Sequence, residues 1–246
     1  MSIIKITNRS LDNITWQSEA GCEYLIKDGN IDIWRINISS NLPNLNYFIS
    51  LLNPTELERS NKYYQLKDKN RFIVSRGALR YILGRYLRQH PALIDFGLSD
   101  NKKPFIKNNP HLQFNLSHSS DWILIAIADA TIGADIEFIN DNFKYADVLG
   151  GNFSTDEINQ IVESKSAERF FVFWTRKEAI TKATGKGLDE NLKMIPAADG
   201  TYFANSNLIS SISNLFVTSF TPDIKYAASV CSNSSANDIR FWDIQF

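Results

Sequence analysis

Cysteine is scarce: Cys22 and Cys231 are the only two in 246 residues, too few for a disulfide framework and wrongly spaced for a zinc site. A reducing compartment is the natural setting for such a chain. Charge of one sign is also missing. With 26 Lys and Arg against 27 Asp and Glu the net charge is −1, and nothing global suggests a nucleic-acid-coating protein. Long apolar runs are absent: the most conspicuous, Trp122 to Ala128, falls far short of the ~20 residues a membrane-spanning helix needs. Met1 to Arg9 is polar and lacks the apolar centre of a signal peptide, so the chain reads as cytoplasmic, with no membrane role. What is present is ordinary for a soluble globular protein: 43% hydrophobic and 22% charged residues, on a length that suits one large domain or two modest ones.

The even total hides an uneven distribution. Residues 1–130 hold 16 basic and 12 acidic side chains, and residues 131–246 hold 10 and 15. A basic front and an acidic back would suit a ligand with phosphates on one side and a metal on the other, although basic residues also coat ordinary helix faces. Residues 31–38 alternate as a strand, and Asn53-Pro54-Thr55-Glu56 opens a helical stretch. Phe72, Leu79, Leu83 and Tyr86 mark a helix from Lys69 to about Gln89, with Arg76 and Arg80 sharing another of its faces. Strands are expected over 114–118, over 122–128 (buried on both faces) and over 132–137. Gly150-Gly151 reads as a break before a helix starting at Ser154. A longer helix spans about 167–183 with Gly185 as its cap, and 216–220 and 226–231 are strand-like. Without a βαβα rhythm this mixture favours an α+β fold.

Two short patterns could carry chemistry. If 132–137 is a strand, Asp135 and Glu137 project from one face. If 167–183 is a helix, Glu178 and Lys182 stack one turn apart. Taken alone, the first fits a solvated strand face equally well and the second a weak surface ion pair. His118, taken alone, fits a hydrogen-bonded core histidine.

Together these residues resemble the 4′-phosphopantetheinyl transferases, in particular the monomeric type that activates peptide and polyketide synthases. Ile132-Gly133-Ala134-Asp135-Ile136-Glu137 is similar to that family's (Ile/Val)-Gly-(Ile/Val)-Asp-x-Glu, with Ala134 smaller than the pattern. Trp174 to Lys182 follows its (Phe/Trp)-(Ser/Cys/Thr)-x-Lys-Glu-(Ala/Ser)-x-x-Lys, with Glu178 lying 43 residues after Asp135. Phe114 to His118 resembles the family strand ending in Ser-His. Lys103-Pro104 resembles a Gly-Lys-Pro element in which Lys102 replaces the glycine. The resemblance spans about 54–188.

It implies transfer of the phosphopantetheine arm of coenzyme A to a serine of an apo acyl or peptidyl carrier protein, with release of 3′,5′-ADP. It implies Mg²⁺ on Asp135, Glu137 and Glu178. Two unit charges about 4 Å apart repel by roughly 4 kcal/mol at an effective dielectric of 20, so clustered carboxylates call for a cation, and all-oxygen ligands for a hard one. By the same resemblance Lys182 stabilises charge as the bond breaks. Ser117 and His118 hold the 3′-phosphate, and Lys103 and Pro104 lie by the adenine and ribose. Arg59, Arg71 and, more weakly, Arg76 contact phosphates. Glu157 aligns with a candidate base for the serine proton, but Ser154-x-x-Glu157 equally matches a helix capping box.

The resemblance also implies a monomer of two similar α+β subdomains. Residues 1–129 are expected on the nucleotide side and 130–246 on the metal-binding and catalytic side, with the carrier at the cleft rim beside 140–165. A nuclease reading fails on spacing, since Lys182 stands four residues after Glu178 where such sites place a lysine two after a carboxylate. A non-catalytic coenzyme A-binding or carrier-docking module is the remaining alternative.

Overall fold

The computed structural model describes Ser2 to Phe246 except Asp28, residues 188–191, Ile212 and Asn237. The chain begins with β1 (Ile3–Ser10), β2 (Gln17–Ser18) and β3 (Asn30–Asn37). Helices α1 (Ile38–Asn41), α2 (Leu45–Leu51), α3 (Pro54–Asn61) and α4 (Leu66–Leu87) follow. The small hairpin β4 (Phe96–Leu98) and β5 (Pro104–Ile106) leads to β6 (Gln113–Ser119), β7 (Trp122–Ala128) and β8 (Ile132–Phe138). Then come α5 (Ala146–Asn152), α6 (Thr155–Ser164) and α7 (Ala167–Thr184). Strand β9 (Gly200–Asn205), α8 (Ser206–Ile209), β10 (Leu215–Phe220), β11 (Tyr226–Ser232) and β12 (Asp238–Asp243) complete the order.

The strands form two five-stranded sheets, ordered β2-β12-β3-β7-β6 and β8-β11-β10-β1-β9. The period of two sorts their side chains into layers. On β7, Ile123, Ile125 and Ile127 join Trp34, Leu79 and Leu83 beneath α4, while Leu124, Ala126 and Ala128 face the second sheet. Strand β7 is therefore sandwiched, as its unbroken apolar run implies. Ile132, Ala134 and Ile136 of β8 meet the first sheet, and Ala179, Ile180 and Ala183 of α7 cover Val217 and Cys231 of the second. The result is α4, sheet, sheet and α7 in four layers, an α+β fold of two subdomains.

The terminal strands are exchanged between the halves. Strand β1 lies between β10 and β9 in the sheet of the back half, and β12 pairs in parallel with β3 in that of the front half. The expected break at Gly150-Gly151 does not occur, because both glycines are helical within α5. Val148, Leu149 and Phe153 anchor that stretch among Phe170 and its neighbours, and this packing overrides the weak helix propensity of glycine. The cap on α7 is as expected, with Gly185 at φ 72°.

Candidate active site

Gly133 sets the distance between β8 and α7. A Cβ built on it would lie 2.2 Å from the Ala179 carbonyl oxygen and 2.3 Å from the Ala183 nitrogen, so only glycine lets the helix rest against the strand. That contact fixes the residues beside it. Lys182 Nζ donates to Asp135 Oδ1 at 2.6 Å and to Ser117 Oγ at 3.1 Å, while Ser117 Oγ donates to Asp135 Oδ1 at 2.8 Å. Asp135 is 3% exposed, and its second oxygen, Oδ2, is buried without a hydrogen-bond partner. Next along the strand, Glu137 Oε2 accepts from Ser119 Oγ at 2.7 Å.

The electrostatics are those of a cluster short of positive charge. Burial pushes the Asp135 carboxyl upward, opposed chiefly by Lys182. Burial and then the Asp135 charge raise Glu137. Glu178 is pushed up to about 7, by burial first and then by Asp135, with Glu137 adding less. Three mutually destabilising carboxylates face one ammonium. Among the described residues, no three His, Cys, Asp or Glu side chains stand close enough to enclose an ion as they are. The orphaned Asp135 Oδ2 and the purely carboxylate donor set nevertheless suit a hard divalent cation.

Thr175, Arg176 and Lys177 of the Trp174–Lys182 stretch are structural. Thr175 Oγ1 and Ser229 Oγ share a hydrogen bond of 2.8 Å. Buried Arg176 binds Ser219 Oγ, the Ala197 carbonyl and Asp199. Buried Lys177 donates to the carbonyls of Leu192 and Ile195 and pairs with Glu157 at 2.9 Å. Only Glu178 and Lys182 turn toward the β8 carboxylates.

On the other face of β6, a cavity of about 220 Å³ is lined by Arg59, Arg71, Arg76, His118, Phe72 and Phe114 among others. Arg59 lies over the Phe72 ring, Arg71 pairs with Asp68 at 2.8 Å, and Arg76 pairs with Glu56 at 2.7 Å. Partial desolvation and then the Arg71 charge push the His118 imidazole down. The structure thus gathers three arginines and a histidine into one basic hollow.

Three of the expected ligand-binding or catalytic side chains are engaged elsewhere in this structure. Ser117 does not share the hollow with His118, because successive strand residues point to opposite faces and Ser117 belongs to Asp135. Lys103 is engaged within the protein. Its Nζ donates to the carbonyls of Ile132 at 2.9 Å and Ala183 at 2.8 Å, fastening the start of β8 to the end of α7, and burial lowers its pKa to about 8. Pro104 opens β5 opposite Leu98, and Lys102 takes the left-handed φ of 61° that a glycine would favour. Glu157 is held on both oxygens: Oε1 accepts from Ala197 N, and Oε2 accepts from Ser154 N and pairs with Lys177. The capping box is complete and the residue is 4% exposed, which favours the cap over the base.

Sequence reading missed Ser119 and a second cavity of about 550 Å³, lined by Glu137, Ser119, Lys67, Asn140, Phe143 and Trp174 among others. The alternation with Ser117 was a signal for Ser119. Nothing local marks Phe143 or Lys67, which the fold brings in from separate segments.

Residues 131–231 match the family model of the 4′-phosphopantetheinyl transferase superfamily, and residues 39–130 match that of the 4′-phosphopantetheinyl transferase N-terminal region. The chain is 32% identical to the 4′-phosphopantetheinyl transferase psf-1 of Bacillus pumilus, over 81% of its own length and 85% of that protein. It is 31% identical to the 4′-phosphopantetheinyl transferase HetI of a Nostoc species, over 71% and 76% respectively. Against the 4′-phosphopantetheinyl transferase Sfp of Bacillus subtilis the identity is 26%, over 75% and 84%.

Proposed function

The chain belongs to the 4′-phosphopantetheinyl transferase family, and on that footing we propose how its side chains transfer the arm of coenzyme A to a carrier protein. Asp135, Glu137 and Glu178 would hold Mg²⁺ against the diphosphate. The observation that carries this reading is the carboxylate cluster at the β8–α7 contact, with Asp135 Oδ2 buried and unsatisfied. When bound, Mg²⁺ would neutralise the diphosphate and the charge that develops on its oxygens.

Phosphoryl transfer asks a protein mainly for positioning and charge. The carrier serine oxygen attacks the phosphorus of the phosphopantetheine arm, the bond to the bridging oxygen breaks, and 3′,5′-ADP leaves with that oxygen. Lys182, already at hydrogen-bond distance from Asp135, supplies the fixed positive charge at this point. With Glu157 tied to the cap of α6, Glu178 takes the serine proton in this reading. Among the described residues no donor holds its carboxylate, and it faces the same cluster. The 3′-phosphate would lie in the basic hollow, where Arg59 and Arg71 supply charge-assisted hydrogen bonds and His118 a further donor.

The front half, 1–129, would carry the nucleotide and the back half, 130–246, the metal, each sheet being completed by a terminal strand of the other half. The carrier would approach the rim beside 140–165, where the 550 Å³ cavity adjoins Glu137. All the proposed site residues come from one chain, which supports a monomer. No described helix is long and apolar enough to cross a membrane.

The test is to incubate the protein with coenzyme A, Mg²⁺ and an apo carrier protein. A mass gain of one phosphopantetheine arm, with one 3′,5′-ADP released per carrier, is expected. Binding of coenzyme A with no mass gain on a panel of apo fatty acid, polyketide and peptide carriers would leave only a docking module.

A further inference from the structure

Strand β6 ends the first sheet and β8 ends the second, and side chains from one face of β6 reach the backbone of β8 along this seam. A sheet edge leaves backbone N–H groups without ladder partners, and these turn to side chains or water. Side chains of β6 serve here. Asn115 Oδ1 accepts from Ala134 N at 3.0 Å, and Ser119 Oγ accepts from Phe138 N at 3.0 Å. A hydroxyl has one proton to give, and Ser119 gives it to Glu137 Oε2 at 2.7 Å. The serine is thereby locked: the β8 backbone fixes where its oxygen sits, and its proton fixes the Glu137 carboxylate. Ser117 does the same for Asp135 two residues earlier, but it also touches Lys182 and so has a share in the site itself.

We propose that Ser119 is a positioning residue for metal binding: the β6–β8 seam uses its hydroxyl to hold one Glu137 oxygen so that the other faces the position of the ion. The proposal rests on the metal reading above. Outer partners of this kind orient ligand carboxylates, and their removal lowers metal affinity by roughly 10–100-fold.

The test titrates Mn²⁺ into the chain with coenzyme A bound, following the free ion by electron paramagnetic resonance and melting each variant without metal. Ser119→Ala is expected to weaken Mn²⁺ binding by about 10–100-fold, with little change in coenzyme A affinity measured in chelator. Ser119→Thr, which keeps the hydroxyl, should restore most of the loss. Should the alanine variant not fold, Ser119→Cys keeps the volume with a weak donor and is expected to show the same loss. Unchanged Mn²⁺ affinity in the alanine or cysteine variant would overturn the proposal and leave the metal reading standing. So would a threonine variant as impaired as alanine. A wild-type chain that bound no Mn²⁺ would overturn both.

Discussion

Replacing Gly133 with alanine adds one methyl group, and the geometry says where it goes. The new carbon would sit 2.2 Å from the Ala179 oxygen and 2.8 Å from the Ala183 Cα, where unstrained heavy atoms keep roughly 3.5 Å. The obstacles are backbone, so α7 must withdraw from β8 by roughly 1 Å, as no rotamer change relieves the contact. Overpacking of this kind costs about 1–3 kcal/mol. The functional cost is separable, because Glu178 and Lys182 ride on the displaced turns and the 2.6 Å contact of Lys182 with Asp135 must lengthen. Displacement by about 1 Å is enough to slow a positioned reaction by about 100-fold. Urea melts give the first quantity, and carrier loading per folded molecule, measured by mass spectrometry, gives the second. A Gly133→Ala variant with wild-type stability would refute the packing argument. Lost stability with undiminished loading per folded molecule would refute the claim that this contact aims the site.

Three further outcomes are expected. Glu157→Gln should destabilise by about 3–5 kcal/mol, because it strips the partner from buried Lys177, while turnover per folded molecule stays near wild type; a large rate loss in a stable variant would return the base role to Glu157. The pH dependence follows from Glu178, raised to about 7 from the ordinary 4.5. Between those values the native chain without a divalent cation keeps a proton that the unfolded chain loses, so this group's contribution is present below about 4.5 and lost as pH rises through 7. A divalent cation competes with that proton, so the rise in Tm on adding Mg²⁺ should be small at low pH and grow through neutrality. Equal shifts at both ends would contradict this. Lys102→Gly should raise stability by roughly 0.5–1 kcal/mol in denaturant titration, since φ 61° strains a side chain but not glycine; no gain would mean the lysine side chain contributes as much as the strain costs.

The sequence made local periodicity legible, and with it the elements that carry the site. Alternation along 132–137 put Asp135 and Glu137 on one face, the helical step put Lys182 one turn beyond Glu178, and the structure agrees with both. The resemblance also marked Gly133, although only the approach of α7 explains why a glycine is there. What the sequence hid depends on partners far away in the chain. Lys103 reads, by the resemblance, as a cation beside the adenine and ribose, and the carbonyls of Ile132 and Ala183 that take its ammonium arrive from other elements. Ser154-x-x-Glu157 left two roles open, and the contacts with Lys177 and Ala197 that favour the cap come from other elements. The exchange of β1 and β12 joins opposite ends of the chain by strand pairing, for which no local pattern exists.

Calorimetric titration of Mg²⁺ into the coenzyme A-bound protein, beside the same titration of Asp135→Asn, tests the central claim most directly. One tight site in the wild type that disappears with the substitution is the predicted result. An asparagine variant that binds Mg²⁺ as tightly as wild type would contradict it.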